Sequence, residues 1–264
     1  MRDVDAPTSE IERPADPRRL VALQAVHNFR DMGGYATDDG QVTRWGKIYR
    51  ADGLYRLTGD DVEVIRTLGL RTVIDLRSQQ ELDERGTFPH DSVAVDFHHL
   101  SVMDATWEHE GIAATMEAAE FLEWAYQDML AKHADRFVET INKLARPGAL
   151  PAVFHCAAGK DRTGIVAALL LSALGVPRSV VVHDYALTSE GMQRMVRWAE
   201  AEDPSMVARL ADAPKAFTSA APEAMQRVLD AIEAEHGSIL QFLALNGMKD
   251  ETLAAIAAEF LEPA

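Results

Sequence analysis

The chain has 264 residues, 47% of them hydrophobic, and carries 42 acidic against 26 basic side chains for a net charge of -16. That length and apolar content suit one sizeable core, and the negative charge disfavours nucleic acid and anionic membrane surfaces, so an anionic ligand has to be held by local positive groups. A single cysteine rules out a disulfide within the chain.

Residues 1–20, with mixed charges and three prolines, read as a flexible arm without an apolar secretory stretch. Residues 21–264 are expected to form one domain with a helical C-terminal part. In "HNFRDMGGYATDDGQVTRWGKIYRAD" the turn chemistry of Gly33-Gly34 and Asp38-Asp39-Gly40 predicts an early hairpin. Thr58 is placed to cap a helix, with Asp61 three residues on, Val62, Ile65 and Leu68 on one face, and Gly69 as the stop. "RTVIDLRS" reads as a strand that turns polar at its end, and "SVAVDFHHL" as a second strand.

Gly111 to Ala145 has helical periodicity in two apolar sets: Phe121, Leu122, Ala125 and Met129, then Phe137, Ile141 and Leu144. After the break at Arg146-Pro147-Gly148, "ALPAVFHC" reads as a buried strand and Thr163 to Leu174 as a buried helix closed by Gly175. Helix follows strand twice, so the fold class is α/β, a mostly parallel sheet flanked by helices. The remaining third is helical, punctuated by Pro204, Pro214 and Pro222, and ends in an amphipathic face of Leu253, Ile256, Ala257 and Phe260. The longest apolar run, Ile165 to Val176, is shorter than the roughly 20 residues that span a membrane. A cytoplasmic protein without membrane insertion is the expectation.

The lone Cys156 stands in "HCAAGKDRTG", between the strand and the helix. Ligands of open α/β sheets bind beyond the carboxyl ends of strands. There the amides from Ala157 to Arg162 can converge, Gly159 allows a tight turn, and the helix adds its positive end, which together suit a phosphate-sized anion. Arg162 brings a planar fork matched to two phosphate oxygens. The same cations and amides favour a thiolate at Cys156, which turns binding into nucleophilic chemistry. A nucleotide-binding loop does not fit, because Asp161 stands where Ser or Thr would hold magnesium and Phe154 where the first glycine belongs.

"HCAAGKDRTG" resembles the signature loop of the cysteine-based protein-tyrosine-phosphatase superfamily, and in particular its atypical bacterial tyrosine and lipid phosphatases. "NFRDMGGY" (Asn28 to Tyr35) and "IDLRS" (Ile74 to Ser78) are similar to two further motifs of that branch in the same chain order. The resemblance implies a phosphocysteine formed on Cys156, phosphate oxygens held by Arg162 and the loop amides, and a Thr163 hydroxyl near the sulfur that eases its departure. It implies no metal and no cofactor. It assigns His155 to fixing the loop, and it implies that Lys160 contacts an extra phosphate or acid group of the substrate, where a solvated surface lysine is the alternative.

Asp75, Arg77 and Asn28 are expected to buttress the loop. No Trp-Pro-Asp tripeptide occurs, so the general acid is either Asp161, which the resemblance favours, or Asp104. His98, His99 and His109 with Asp104 fit no metal-ligand spacing. Met192, Met195, Met206 and Trp198 recur at near-helical spacing, as core or as the underside of a lid. The resemblance implies phosphotyrosine, phosphoserine or phosphothreonine in a protein, or a phosphoinositide, as the substrate, with a small soluble phosphate as the alternative; an inactive phosphate-binding or thiol redox module is the competing class.

Overall fold

The computed structural model describes residues 16–103, 115–211 and 213–264. Its centre is a five-stranded sheet in the order β1-β3-β6-β4-β5, built from β1 (Arg30–Asp31), β3 (Ile48–Ala51), β4 (Thr72–Asp75), β5 (Asp96–His99) and β6 (Ala152–His155). β1 runs antiparallel to β3 and every other pair is parallel. The α/β class read from the sequence is the class observed.

β6 lies at the middle of the sheet, with His155 in register with Ala51 on one side and Asp75 on the other. Its four residues are all buried, and the side chains alternate between two cores. Phe154 joins Ile48 and Ile74 on one face, while Val153 joins Tyr49 and Val73 on the other, as the period of two of a strand requires.

The first face is covered by α3 (Ala118–Leu144), α4 (Asp161–Ala173), α5 (Arg178–Ala186) and α9 (Pro222–His236), the second mainly by α1 (Gly59–Thr67). α4 is apolar on all sides because it is enclosed between the sheet and other helices. Thr58 caps α1 through a reciprocal box with Asp61, as expected. Ser78 and Glu81 make the same box at the start of α2 (Gln79–Arg85). The helical C-terminal part continues through α6 (Thr188–Glu202), α7 (Pro204–Ala211), α8 (Lys215–Thr218), α10 (Ile239–Leu245) and α11 (Asp250–Phe260). No helix among the described residues is long and apolar enough to cross a membrane.

Three expectations are corrected and one is extended. Residues 16–20 of the arm are packed: Pro17–Arg19 forms a 3-10 turn, Leu20 bridges to Arg30, and the buried Arg19 stacks on Tyr35 at 3.8 Å and donates to the Asp31 carbonyl at 2.7 Å. The early hairpin forms around the turn at Thr37 to Gly40, with backbone bonds from Thr37 to Gln41 at 2.9 Å, from Thr43 to Tyr35 at 2.9 Å and from Gly34 to Thr43 at 2.6 Å, but it is not a self-contained pair, because the other edge of β2 (Gln41–Thr43) pairs with the far end of the chain, β7 (Leu261–Pro263). The helix over the two apolar sets breaks at His133, whose φ/ψ are not helical, so that each set lies on its own segment. Lastly, α4 starts at Asp161 rather than Thr163, which puts Asp161 and Arg162 on the first helical turn.

Candidate active site

Three parallel strands end side by side, and the segment from Cys156 to Lys160 loops over their carboxyl ends before entering α4. Gly159 makes the turn possible. Its φ is +64°, and a Cβ there would stand 2.6 Å from the Ala51 carbonyl oxygen and 2.8 Å from the Asp52 amide. A side chain would be strained by the backbone and blocked by β3 at once.

The loop sorts its backbone groups. Its carbonyls are tied to the protein: Ala157 accepts from the Gly53 amide at 3.0 Å, Ala158 and Gly159 from Asn28 Nδ2 at 3.1 and 3.0 Å, Gly159 also from Arg50 at 3.0 Å, and Lys160 from the Gly164 amide at 2.8 Å. The amides of residues 157–160 donate to no protein acceptor among the described residues. Buried carbonyls need donors. Supplying them from outside the loop turns the amides the other way, as an anion cradle demands.

Asn28 is held in turn by Arg30, and Arg30 and Arg50 both pair with Asp184, at 3.2 and 2.5 Å. Burial works against charge on Asp184, but the two guanidiniums outweigh it and keep the carboxyl well below the usual carboxylate range. Asp75 and Arg77 form a fully buried pair at 2.6 Å. They support the loop at one remove, since His155 Nε2 lies 3.5 Å from Asp75 and its Nδ1 meets the Cys156 carbonyl at 3.3 Å. Burial pushes the His155 imidazole down; at Asp75 burial pushes the carboxyl up, but the positive charge of His155 and Arg77 and the bonds from Arg77 outweigh it and hold Asp75 below its ordinary range. All three predicted supports are therefore gathered round the loop.

Cys156 is 2% exposed, at the base of the loop. The hydroxyl of Thr163 is buried without a hydrogen-bond partner. Arg162 is gripped by Glu81, which accepts from its two terminal nitrogens at 2.5 and 2.9 Å. Burial would lower the Arg162 pKa, but these bonds raise it further above an already high value. Glu81 was missed by sequence reasoning. Its signal, the Ser78 to Glu81 capping box, announces a helix start and says nothing of an arginine 81 residues away.

Lys160 differs from its expected placing. It is 1% exposed, and its Nζ donates to the carbonyls of Ala216 and Ser219, the latter at 3.1 Å, while lying 3.4 Å from Asp161 Oδ1. It is neither a solvated surface lysine nor free to meet a ligand in this arrangement, because the α8 segment crosses beside the loop and offers it carbonyl oxygens. Asp161 accepts from Tyr126 at 2.6 Å and keeps 23% exposure. Asp104 and His109 lie outside the described residues. His98 bonds to Asp96 and His99 to the Arg77 carbonyl, and no group of three or more His, Cys, Asp or Glu side chains disposed for a metal occurs among the described residues.

Beside the loop opens a cleft of about 570 Å³. Ala157 and Ala158 contribute one wall, Tyr55, Arg56 and Arg85 another, and Met192, Met195, Trp198, Met206 and Phe217 the apolar remainder. The methionine and tryptophan set is thus both packed and cleft-facing: Met192 and Met195 are each 6% exposed, yet they border the site as a covering helix would.

A family model described as the tyrosine phosphatase family matches residues 21–262. A candidate tyrosine-protein phosphatase of Cupriavidus necator is 31% identical over 234 residues, 86% of this chain and 83% of that protein. The triple specificity protein phosphatase PtpB of Mycobacterium tuberculosis is 29% identical over 199 residues, 66% of this chain and 70% of its own. Among solved structures, P. aeruginosa TpbA covers 68% of this chain and 94% of its own at 17% identity, with a TM-score of 0.30.

Proposed function

This chain belongs to the tyrosine phosphatase family, and we propose that it hydrolyses phosphate monoesters through a phosphocysteine formed on Cys156. The observation that carries this reading is the sorted loop: every carbonyl from Ala157 to Lys160 is satisfied by the protein, the amides of the same residues are not, and Cys156 and Arg162 bracket them. Such a cradle binds the equatorial oxygens of a phosphoryl group as their charge shifts in transfer.

In the first step the Cys156 thiolate attacks phosphorus, the S–P bond forms and the P–O bond breaks, and the leaving oxygen takes a proton from Asp161. In the second, Asp161 as carboxylate takes a proton from water while that water attacks phosphorus, releasing inorganic phosphate and the thiolate. The partnerless Thr163 hydroxyl is available to hydrogen-bond to the departing sulfur. None of these residues requires a metal for its part.

The apolar and aromatic walls of the cleft suit an aromatic leaving group, which favours phosphotyrosine in a protein. Phosphoserine, phosphothreonine and phosphoinositides stay within the same chemistry, and a relative named for triple specificity supports assaying all of them. Residues 21–264 serve this function as a single domain. The cytoplasm is its proposed compartment, where a lone nucleophilic thiol stays reduced.

The test is phosphate release from a panel of phosphotyrosyl and phosphoseryl peptides, phosphoinositides and soluble monoesters, by wild type and Cys156→Ser. Turnover should vanish in the variant, persist in chelator and fall with vanadate, which resembles the five-coordinate phosphoryl group. Turnover that survives in Cys156→Ser, or that is lost on chelation and restored by a divalent ion, would overturn the mechanism.

A further inference from the structure

Two tyrosines lie against Asp161 and Gly164 and make no hydrogen bond to the loop amides or carbonyls, Cys156 or Arg162 among the described residues. Tyr126 of α3 and Tyr185 of α5 are 0% and 1% exposed, and their hydroxyls lie 2.7 Å apart. Tyr126 donates to Asp161 Oδ1 at 2.6 Å. A phenol has one proton to give. Since the proton of Tyr126 goes to Asp161, Tyr185 must be the donor in the bond between the two hydroxyls, and the chain runs Tyr185 to Tyr126 to Asp161.

We infer that Tyr126, backed by Tyr185, is a positioning residue that fixes which oxygen of Asp161 carries the transferable proton. Oδ1 accepts from Tyr126 and also lies 3.4 Å from Lys160 Nζ. An oxygen that already accepts from a phenol beside an ammonium group is a poor place for a further proton. Oδ2 has no hydrogen-bond partner among the described residues. The acid proton therefore sits on Oδ2, and the carboxyl cannot swing, because its other oxygen is pinned. Burial and the nearby Asp161 keep both phenols protonated well past neutral pH, so the hold persists over the working range. The rings support one another edge to face, with centroids 6.1 Å apart and planes at 85°.

This inference rests on Asp161 being the general acid, and the experiment separates the two. Tyr126→Phe removes only the hydroxyl, and kcat/KM is measured on tyrosyl or alkyl phosphates and on an activated aryl phosphate such as p-nitrophenyl phosphate, whose leaving group needs little protonation. Loss of positioning should cost about tenfold on the poor leaving groups and less than about twofold on the activated ester. Tyr185→Phe should show the same selectivity in weaker form. On an Asp161→Asn background Tyr126→Phe should cost nothing further, since the two act as one unit.

An equal loss on both esters, or a loss that multiplies with that of Asp161→Asn, would mark Tyr126 as a packing residue only and overturn the inference. If Asp161→Asn itself shows no dependence on the leaving group, the acid is elsewhere and both readings fall together. Thermal melts accompany each variant. Should Tyr126→Phe fail to fold, Tyr185→Phe carries the same test, and a flat leaving-group response there overturns the inference equally.

Discussion

Glu81→Gln tests whether the catalytic arginine depends on a residue outside its own loop. In the native site the carboxylate accepts from both terminal nitrogens of Arg162, at 2.5 and 2.9 Å, and its Oε2 also accepts the Ser78 amide at 2.9 Å. Glutamine keeps one acceptor and turns the other into a donor that faces a donor, so one charge-assisted bond and the ion pair are lost. A hydrogen bond to a charged group contributes about 1.5–3 kcal/mol, and removing one partner from a fully buried pair costs about 3–5 kcal/mol. Since the Arg162 side chain keeps 12% exposure, on the order of 2–3 kcal/mol is the expected loss. In a domain of this size that is a fall in Tm of about 5–10 °C.

The pH dependence has a definite sign. Burial alone would push the Glu81 carboxyl up, but its bonds with Arg162 and the charge of the guanidinium outweigh that and hold it below its ordinary value of 4.5. Its contribution is therefore complete above that value and disappears as pH falls through the depressed folded value, so the gap in Tm between wild type and Glu81→Gln should close on acidification. An arginine no longer held square to the cradle should also lower kcat/KM by about 10–100-fold and weaken vanadate inhibition. Scanning calorimetry between pH 3 and 7, with steady-state kinetics at pH 7, reads both effects. A Glu81→Gln protein with native Tm at pH 7 and native kcat/KM would refute the reasoning.

Gly159→Ala should reduce turnover by about 100-fold or more, because the new Cβ has to displace the loop from the Ala51 carbonyl and the Asp52 amide. Native activity in that variant would show that the loop does not depend on this approach. Lys160→Met should lower Tm by releasing the carbonyls of Ala216 and Ser219, with the same proportional change in kcat/KM on substrates with and without a second acidic group. A loss confined to substrates bearing the second acid would restore Lys160 to a substrate contact.

What the sequence determined by itself was local. The strand that ends at His155, the cap at Thr58, the existence of a helix behind the loop and the ten-residue loop itself are each written in a short run, because periodicity, turn chemistry and a contiguous anion cradle involve neighbours along the chain. Even Asn28, Asp75 and Arg77 were within reach, since they sit in short motifs of their own. The tertiary structure decided who stands opposite whom. Glu81 reaches Arg162 across 81 residues, Tyr126 reaches Asp161 across 35, and Asp184 pairs with Arg50 across 134. None of these contacts leaves a pattern in sequence: a glutamate at a helix start, a tyrosine on an apolar helical face and an aspartate inside a helix each satisfy the local rules of their element whatever lies across from them. The same holds for Lys160, whose surroundings depend on where α8 crosses, and for β2, whose partner is the last strand of the chain. Local preference sets what each segment becomes; burial forces its polar groups to find partners, and only the packed fold says which.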